Sequence, residues 1–410
     1  MFKFPELFTS ENENNLTLPP MKSFAAKYEL SLKDCTERKE IISRIEDYAN
    51  SSAEKLEAVQ CWFDTVATEG IKELHVRFAD LKEEDINRLK NRQYVSSILD
   101  ACLFNPANRH FIGNTFSEEI SLVNYTISNS PYGEVIDLSF CEILDIYDHI
   151  TGNHTEAMMY PIRIQFYIDS GILVARAKSK ANLCQHISGE VTLDKVHKTN
   201  VEVELNKVFS IVSHNLDIGI QPKFTANKAF RNRLFFLLEA FTTTPDEIKE
   251  NMSEKDAEIQ AVVETIQNQI CAIPDRYKKD IHTDVSNMIE KYLSITRTDK
   301  SIFMNNKAAY PLKISATDEE NSKVEQTSAL EEPLQSKAVF FDNRRMMQKS
   351  QLCDGVWFMF QRINSRYYSK YFKVKILIKN NTAILRFTEY TAEEDLQNVL
   401  FSFINAGAEI

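Results

Sequence analysis

One stretch of the sequence combines positive charge with aromatic rings in the way that nucleic-acid recognition requires. Between residues 362 and 379, lysines and arginines are interleaved with tyrosines. Because cations neutralise phosphates and aromatic rings stack on bases, this composition predicts a nucleic-acid-binding surface. The residues expected to form it are Arg362, Arg366, Tyr367, Tyr368, Lys370, Lys373, Lys375 and Lys379. The alternative is a solvated strand face, where edge lysines discourage aggregation and tyrosine rings pack beneath lysine stems.

The charge of the chain is distributed unevenly. Its formal net charge is −11, yet from Lys337 to Arg386 eleven basic residues face only Asp342 and Asp354, which gives +9. The other 360 residues therefore carry −20, and residues 245–265 alone contain seven acids against two lysines. Opposite charges attract, so this layout favours docking of the acidic segment on the basic one, within the chain or between chains. We expect a protein partner or a homo-oligomer.

Histidines and carboxylates gather near residue 150. His149 and His154 lie close to Asp145 and Asp148, and this group motivates an alternative function as a hydrolase or nuclease-like enzyme, with its site in the sheet region 119–212. The turn at residues 152–153 interrupts helical geometry between the histidines, and no cysteine cluster completes a tetrahedral zinc site. The sequence therefore predicts no metal and no cofactor.

Cys184 and His186 form a second candidate pair. They lie two positions apart, so on a strand both side chains would point to the same face. Nucleophilic catalysis also needs a third group that positions the base, and the sequence does not identify one. We interpret Cys184 and His186 as packing residues. The sequence favours a binding subunit over an enzyme.

Several classes of protein are excluded by glycine spacing. None of the nine glycines lies within six residues of another, so the phosphate-binding loops of the GxGxxG and Walker A kinds and the GxSxG nucleophile elbow are absent. Seven scattered cysteines without a CxxC pair predict a reducing compartment. The chain opens without a secretory leader and contains no apolar run of about 20 residues, so we expect a cytoplasmic protein with no membrane contact.

Hydrophobic periodicity indicates which elements position these residues. Helical spacing occurs at residues 51–69, 82–104 and 228–293, with Thr244 expected to cap a helix, and strand alternation occurs at residues 71–78. The region 119–212 is expected to be mainly strand, with segments at 120–127, 134–147, 161–177 and 201–212, and a hairpin turn near Gly171. Phe372 to Ile378 alternate with lysines, Asn380-Asn381 offers a turn, and a final helix carries Leu396, Val399 and Phe403.

Residues 18–47 resemble the SAP motif. Met21, Phe24, Leu30 and Leu32, followed by the basic and apolar positions of residues 38–45, match its spacing, although Glu29 and Glu37 stand where the family usually has glycine. The resemblance implies a helix, an extended loop and a second helix, a module whose family often binds DNA.

Together these patterns predict an α+β protein in four segments. A helical hairpin at 1–50 precedes an α+β domain with an antiparallel sheet at 51–220, a helical segment at 221–315, and an acidic loop followed by a basic ββα unit at 316–410. The predicted function is a non-enzymatic subunit that engages nucleic acid, or a partner that handles it, within a microbial defence or mobile-element system. A hydrolase and a protein-only scaffold are the alternatives.

Overall fold

The chain folds as an α+β protein with antiparallel sheet and flanking helices, as predicted. The structure is a computed structural model, and it describes residues 1–9, 16–70, 72–148, 153–186, 197–270, 273–317, 323–327, 331–363, 365 and 369–407. Two compact units can be distinguished. The first contains Met1–Ala226 and Asn380–Leu396, and the second contains Asn227–Ile363, Ser369–Lys379 and Gln397–Ile410.

The N-terminal part of the first unit is a helical layer. Its helices are α1 (Glu6–Thr9), α2 (Leu18–Lys27), α3 (Arg38–Ala49) and α4 (Ala53–Thr68). Ser52 caps α4 by accepting a hydrogen bond from Lys55 N at 3.2 Å, and Gly70 follows the helix in the left-handed region at φ +92°. The apolar positions of α2, α3 and α4 face a shared core whose members include Met21, Phe24, Ile41, Ile45, Val59 and Phe63.

The sheet of the first unit is antiparallel and carries most of its core. Its strands are β1 (Lys72–Asp80), β2 (Ser121–Ser130), β3 (Gly133–Asp148), β4 (Asn153–Tyr167), β5 (Ile172–Lys178), β6 (Leu183–Gln185), β7 (Gly219–Ile220) and β12 (Thr382–Phe387). The order runs β2-β3-β4-β5-β1-β12, with β6 on β3 and β7 on β1. The expected hairpin joins β4 to β5, and helices α5 (Glu83–Lys90) and α6 (Arg92–Cys102) occupy the predicted helical stretch.

The segment expected to be a strand at residues 201–212 is a helix, so that prediction was wrong. Helix α7 spans Val201–Leu216, and Asn200 caps it by accepting a hydrogen bond from Val203 N at 3.1 Å. Its buried apolar residues recur three and four positions apart, as on one side of a helix: Val201, Leu205, Val208, Phe209, Val212 and Leu216. Packing of this stripe against the sheet outweighs the strand preference of its valines.

The helical stretch predicted from residue 228 onward is present. Its helices are α8 (Lys223–Phe241), α9 (Asp246–Glu254), α10 (Asp256–Thr265) and α11 (Lys278–Ile295). Thr244 does not cap α9, because Pro245 occupies the N-cap position and Thr244 Oγ1 donates instead to Glu290 Oε1 at 2.6 Å. None of the helices within the described residues is long and apolar enough to cross a membrane.

The second unit has its own antiparallel strands. They are β8 (Ala309–Thr317), β9 (Lys323–Thr327), β10 (Gly355–Gln361) and β11 (Tyr371–Lys379), and β10 lies between β8 and β11. Helix α12 (Ala338–Ser350) precedes β10. The predicted C-terminal pattern of two strands and a helix is present, since β11 is followed by a turn at Asn380 (φ +54°), by β12, and by α13 (Glu393–Asn405).

Candidate nucleic-acid interface

Strand β11 presents its lysines on one side, as the alternation predicts. Phe372, Val374 and Ile376 are buried, whereas Lys373 and Lys375 are partly exposed on the opposite side. A strand directs successive side chains to opposite faces, so the apolar residues anchor the strand in the core and fix where the lysines lie. The core therefore positions the cations.

Two residues that the sequence did not single out join these lysines. The register pairs Trp357 of β10 with Lys313 of β8 on one side and with Lys375 of β11 on the other. The Nζ atoms of Lys313 and Lys375 lie 5.7 and 5.0 Å from the indole centroid, within the range of a cation–π contact. We call the surface formed by Lys313, Trp357, Lys373 and Lys375 the lysine–tryptophan face.

Of the six other predicted residues, the structure describes Arg362, Lys370 and Lys379. Arg366, Tyr367 and Tyr368 lie outside the described residues. Arg362 is only 5% exposed, and its guanidinium carbon lies 4.7 Å from the Phe372 ring centroid. The exposed Lys370 has its Nζ 5.3 Å from the Tyr371 ring centroid, and its carbonyl oxygen accepts a hydrogen bond from Arg362 N at 2.9 Å. Lys379 is exposed at the end of β11.

The same side of the strands contains an apolar half. Tyr310, Leu312 and Met359 are buried there, with Met304 and Tyr371 packed against them. Burial is the main cause that raises the pKa of Tyr310 above its ordinary value. One side of the strands therefore has a buried apolar region beside a more exposed one. The more exposed region is the lysine–tryptophan face.

Acidic side chains neutralise much of the basic segment. Lys373 pairs with Glu331 on the lysine–tryptophan face itself. Elsewhere in the segment, four further basic residues pair with carboxylates: Lys337 with Glu332, Arg344 with Glu290, Arg345 with Asp280 and Asp284, and Arg386 with Glu73. The charge available to a ligand is therefore smaller than the +9 of the sequence.

The acidic segment pairs with nearby cations. Four of its carboxylates contact basic side chains: Asp246 with Lys249, Glu247 with Arg297, Glu258 with Lys255 and Glu264 with Lys278. These are exposed pairs, which typically stabilise by less than about 1 kcal/mol each. These cations therefore neutralise part of the negative charge of the acidic segment.

A polar cleft of about 220 Å³ lies in the first unit. It is lined by Asp64, Thr65, Thr68, Asn124, Tyr125, Thr126, Asp137, Ser139 and Arg163. Asp64 Oδ2 lies 2.7 Å from His110 Nδ1, and Asp64 Oδ1 accepts a hydrogen bond from Phe111 N at 3.0 Å. Arg163 Nε donates to both oxygens of Asp137, at 2.7 and 3.0 Å. These charged groups compensate one another, which favours a structural role for the cleft.

The same pairing explains the titration of the Asp64–His110 couple. Burial raises the pKa of Asp64, although the contacts to His110 and Phe111 lower it. The hydrogen bond to Asp64 raises the pKa of His110 above its ordinary value. The imidazole is therefore held closer to its charged form, as part of an ion pair with the carboxylate.

The residues that motivated a catalytic site are only partly brought together. His186 Nδ1 lies 2.7 Å from Asp145 Oδ1, so Asp145 supplies a partner that orients the imidazole. Cys184 is buried, and its pKa is raised mainly by that burial, which opposes formation of a nucleophilic thiolate. His149 and the side chain of His154 lie outside what the structure describes.

No group of three or more histidine, cysteine, aspartate or glutamate side chains suited to holding a metal ion occurs within the described part of the chain. The sequence matches no protein-family model, and no curated protein matches it.

Proposed function

We propose that this chain is a non-enzymatic binding protein that engages nucleic acid through the lysine–tryptophan face. The single observation that carries the proposal is the three-strand arrangement of Lys313, Trp357 and Lys375, with Lys373 beside it on β11. An exposed aromatic ring between ammonium groups offers the two interactions that nucleic acids use, stacking and phosphate neutralisation.

The charge of the remaining chain supports a confined binding surface. A protein of net charge −11 repels a polyanion over most of its surface, so binding depends on a local concentration of cations. The strands supply that concentration on a rigid support, since Phe372, Val374 and Ile376 are buried beneath the lysines. A rigid support lowers the entropy lost when the lysines contact phosphate.

The test is fluorescence anisotropy with labelled single- and double-stranded DNA and RNA at low salt. The triple charge reversal Lys313→Glu, Lys373→Glu and Lys375→Glu should weaken binding at least about 30-fold, because losing two to three phosphate contacts of roughly 1 kcal/mol each costs about 2–3 kcal/mol. Circular dichroism and thermal unfolding of the same variant check that it folds.

A second triple reversal serves as the matched control. Lys223, Lys279 and Lys349 are exposed and lie on helices rather than on these strands, and reversing them gives the same net charge, −17. This control should bind within about threefold of the wild type. Equal weakening in both variants would reduce the effect to net charge and contradict a localised site. Absence of binding by the folded wild type would also contradict the proposal, and would return the search to a protein partner.

A further inference from the structure

The tryptophan of the lysine–tryptophan face is partly exposed between two buried neighbours. Trp357 is 38% exposed, whereas Val356 and Phe358 on either side of it are fully buried. Strand alternation places it on the outward side of β10, together with Met359 and Gln361. Leaving more than a third of this large residue exposed forgoes part of the stabilisation that its full burial would supply.

A purely structural role would be better served by covering the ring. The same side of the same strands shows this arrangement, because Tyr310 and Met359 are packed together there and each is 6% exposed. The fold therefore buries one half of this side and leaves the half with Trp357 open. The open half is also the half that carries the lysines.

The flanking strands give the ring a cation on each side. Because β8 and β11 are separated by β10, the backbones that carry Lys313 and Lys375 lie about 10 Å apart. A long lysine side chain moves from the ring to a neighbouring phosphate by rotation alone. An unpaired base can then take its place on the indole, so that the same three residues contact both the base and the phosphates that flank it.

We propose that Trp357 is a stacking platform for an unpaired base, so that the ligand is single-stranded nucleic acid. This inference rests on the proposed function and adds the ligand class to it. Stacking on an aromatic ring needs an accessible base face, and a duplex keeps its bases stacked on each other. Selectivity for single strands over duplex then comes from Trp357. Lys313, Lys373 and Lys375 supply attraction to any phosphate chain.

The chain allows a direct optical test, because it contains only two tryptophans, Trp62 and Trp357. Trp62→Phe leaves Trp357 as the sole indole. Its emission should be quenched by single-stranded oligothymidylate and oligoadenylate. An oligonucleotide of the same length built from abasic nucleotides carries the same phosphates without bases, so it should bind at least about tenfold more weakly and leave the emission unchanged.

Substitution of Trp357 separates stacking from charge. Trp357→Ala should weaken single-strand binding by about 10- to 100-fold and leave the affinities for the abasic oligomer and for duplex unchanged. Trp357→Phe, which retains a ring, should recover most of the loss. The exposed position of Trp357 favours folding of both variants, and the phenylalanine variant keeps the test valid if the alanine variant unfolds.

The outcomes distinguish the two proposals. Suppose that the lysine reversals abolish binding, that Trp357→Ala binds single strands as tightly as the wild type, and that the abasic oligomer binds as tightly as the base-containing one. The stacking inference is then overturned and the proposed function stands. If neither oligonucleotides nor duplex bind, both are overturned. If polyglutamate of equal charge quenches Trp357 and binds as tightly as oligothymidylate, the face recognises acidic polymers and the inference fails.

Discussion

Glu142 places a carboxyl group inside the hydrophobic core of the first unit. Its side chain on β3 is fully buried, as is that of Glu204 on α7, and Lys207 Nζ lies 3.6 Å from Glu142 Oε2. Lys207 also pairs with Glu204, which accepts a hydrogen bond from Thr199 Oγ1. Burial, followed by repulsion from Glu204, raises the pKa of Glu142 to about 9. Two carboxylates beside one ammonium would leave a net charge in the core, so Glu142 retains its proton at neutral pH.

This proton links stability to pH. In the unfolded chain Glu142 loses its proton above its ordinary pKa of 4.5, whereas in the folded chain it keeps the proton up to about pH 9. Folding therefore takes up a proton within this window, and the free energy of unfolding falls as pH rises, by at most about 1.4 kcal/mol per pH unit. Glu142→Gln removes this titration. Between pH 5 and 8, the free energy of unfolding of the variant relative to that of the wild type should therefore increase with pH, by up to about 1.4 kcal/mol per pH unit.

Urea denaturation at several pH values measures this difference. Glu118→Gln is the control, because it makes the same change of residue type at an exposed position. A parallel curve for Glu142→Gln would mean that the folded protein holds Glu142 ionised.

At the scale of an element, the start of α13 is held by buried charge. Glu393 Oε2 lies 2.7 Å from Arg176 Nη1, Glu393 Oε1 lies 3.5 Å from Arg163 Nη1, and Arg176 is only 2% exposed. The backbone N–H of Glu393 donates to Glu69 Oε1 at 2.9 Å, and Tyr390 Oη donates to Glu69 Oε2 at 2.9 Å. The first turn of the helix is thereby fixed to β4, β5 and the end of α4.

Glu393→Gln should destabilise the protein by roughly 2 kcal/mol, because it leaves the guanidinium of Arg176 buried beside a neutral amide. Loss of one partner from a fully buried pair costs about 3–5 kcal/mol. The smaller expectation reflects the 26% exposure of the Glu393 side chain and the acceptor that Gln retains. Glu394→Gln, in the same turn but exposed, changes the same formal charge and should cost less than about 0.5 kcal/mol in chemical denaturation. Equal losses would assign the effect to the helix dipole.

Elements whose periodicity agrees with residue preference could be predicted from the sequence. Helix α4, strand β1 and the final pattern of two strands and a helix are of this kind. Helix α7 is not, because its valines favour a strand while the spacing of Leu205, Phe209 and Val212 favours a helix, and packing against the sheet decides between them.

The candidate site could be predicted only where it is local. Alternation along β11 placed Lys373 and Lys375 on one side, but Lys313 and Trp357 are 44 positions apart and become neighbours through strand register. Register depends on long-range pairing, and a local pattern contains no information about it. The ion pairs that neutralise Arg344 and Arg345 depend in the same way on contacts with α11.

For the whole molecule, charge in the sequence differs from charge available to a ligand. Eleven basic residues lie between Lys337 and Arg386. Five of these are paired with carboxylates: Lys337, Arg344, Arg345, Lys373 and Arg386. Arg362 is buried against Phe372. Because a paired or buried cation contributes little counterion release, the lysine–tryptophan face should make at most about three phosphate contacts, one for each of its lysines, and Lys373 makes its contact only by leaving Glu331.

The salt dependence of binding measures this number. Each contact to single-stranded nucleic acid contributes about −0.7 to the slope of log affinity against log salt, so three contacts give about −2 and a loss of about 20-fold between 50 and 200 mM salt. If all eleven cations contacted phosphate, the slope would approach about −8 and the loss would exceed about 10⁴-fold. Anisotropy of labelled oligothymidylate at five salt concentrations separates these cases. The control reversal of Lys223, Lys279 and Lys349 should retain the wild-type slope. A slope near −8 would mean that Arg344 and Arg345 leave their carboxylates to contact the ligand. Nucleic acid would then compete with these carboxylates for the two arginines.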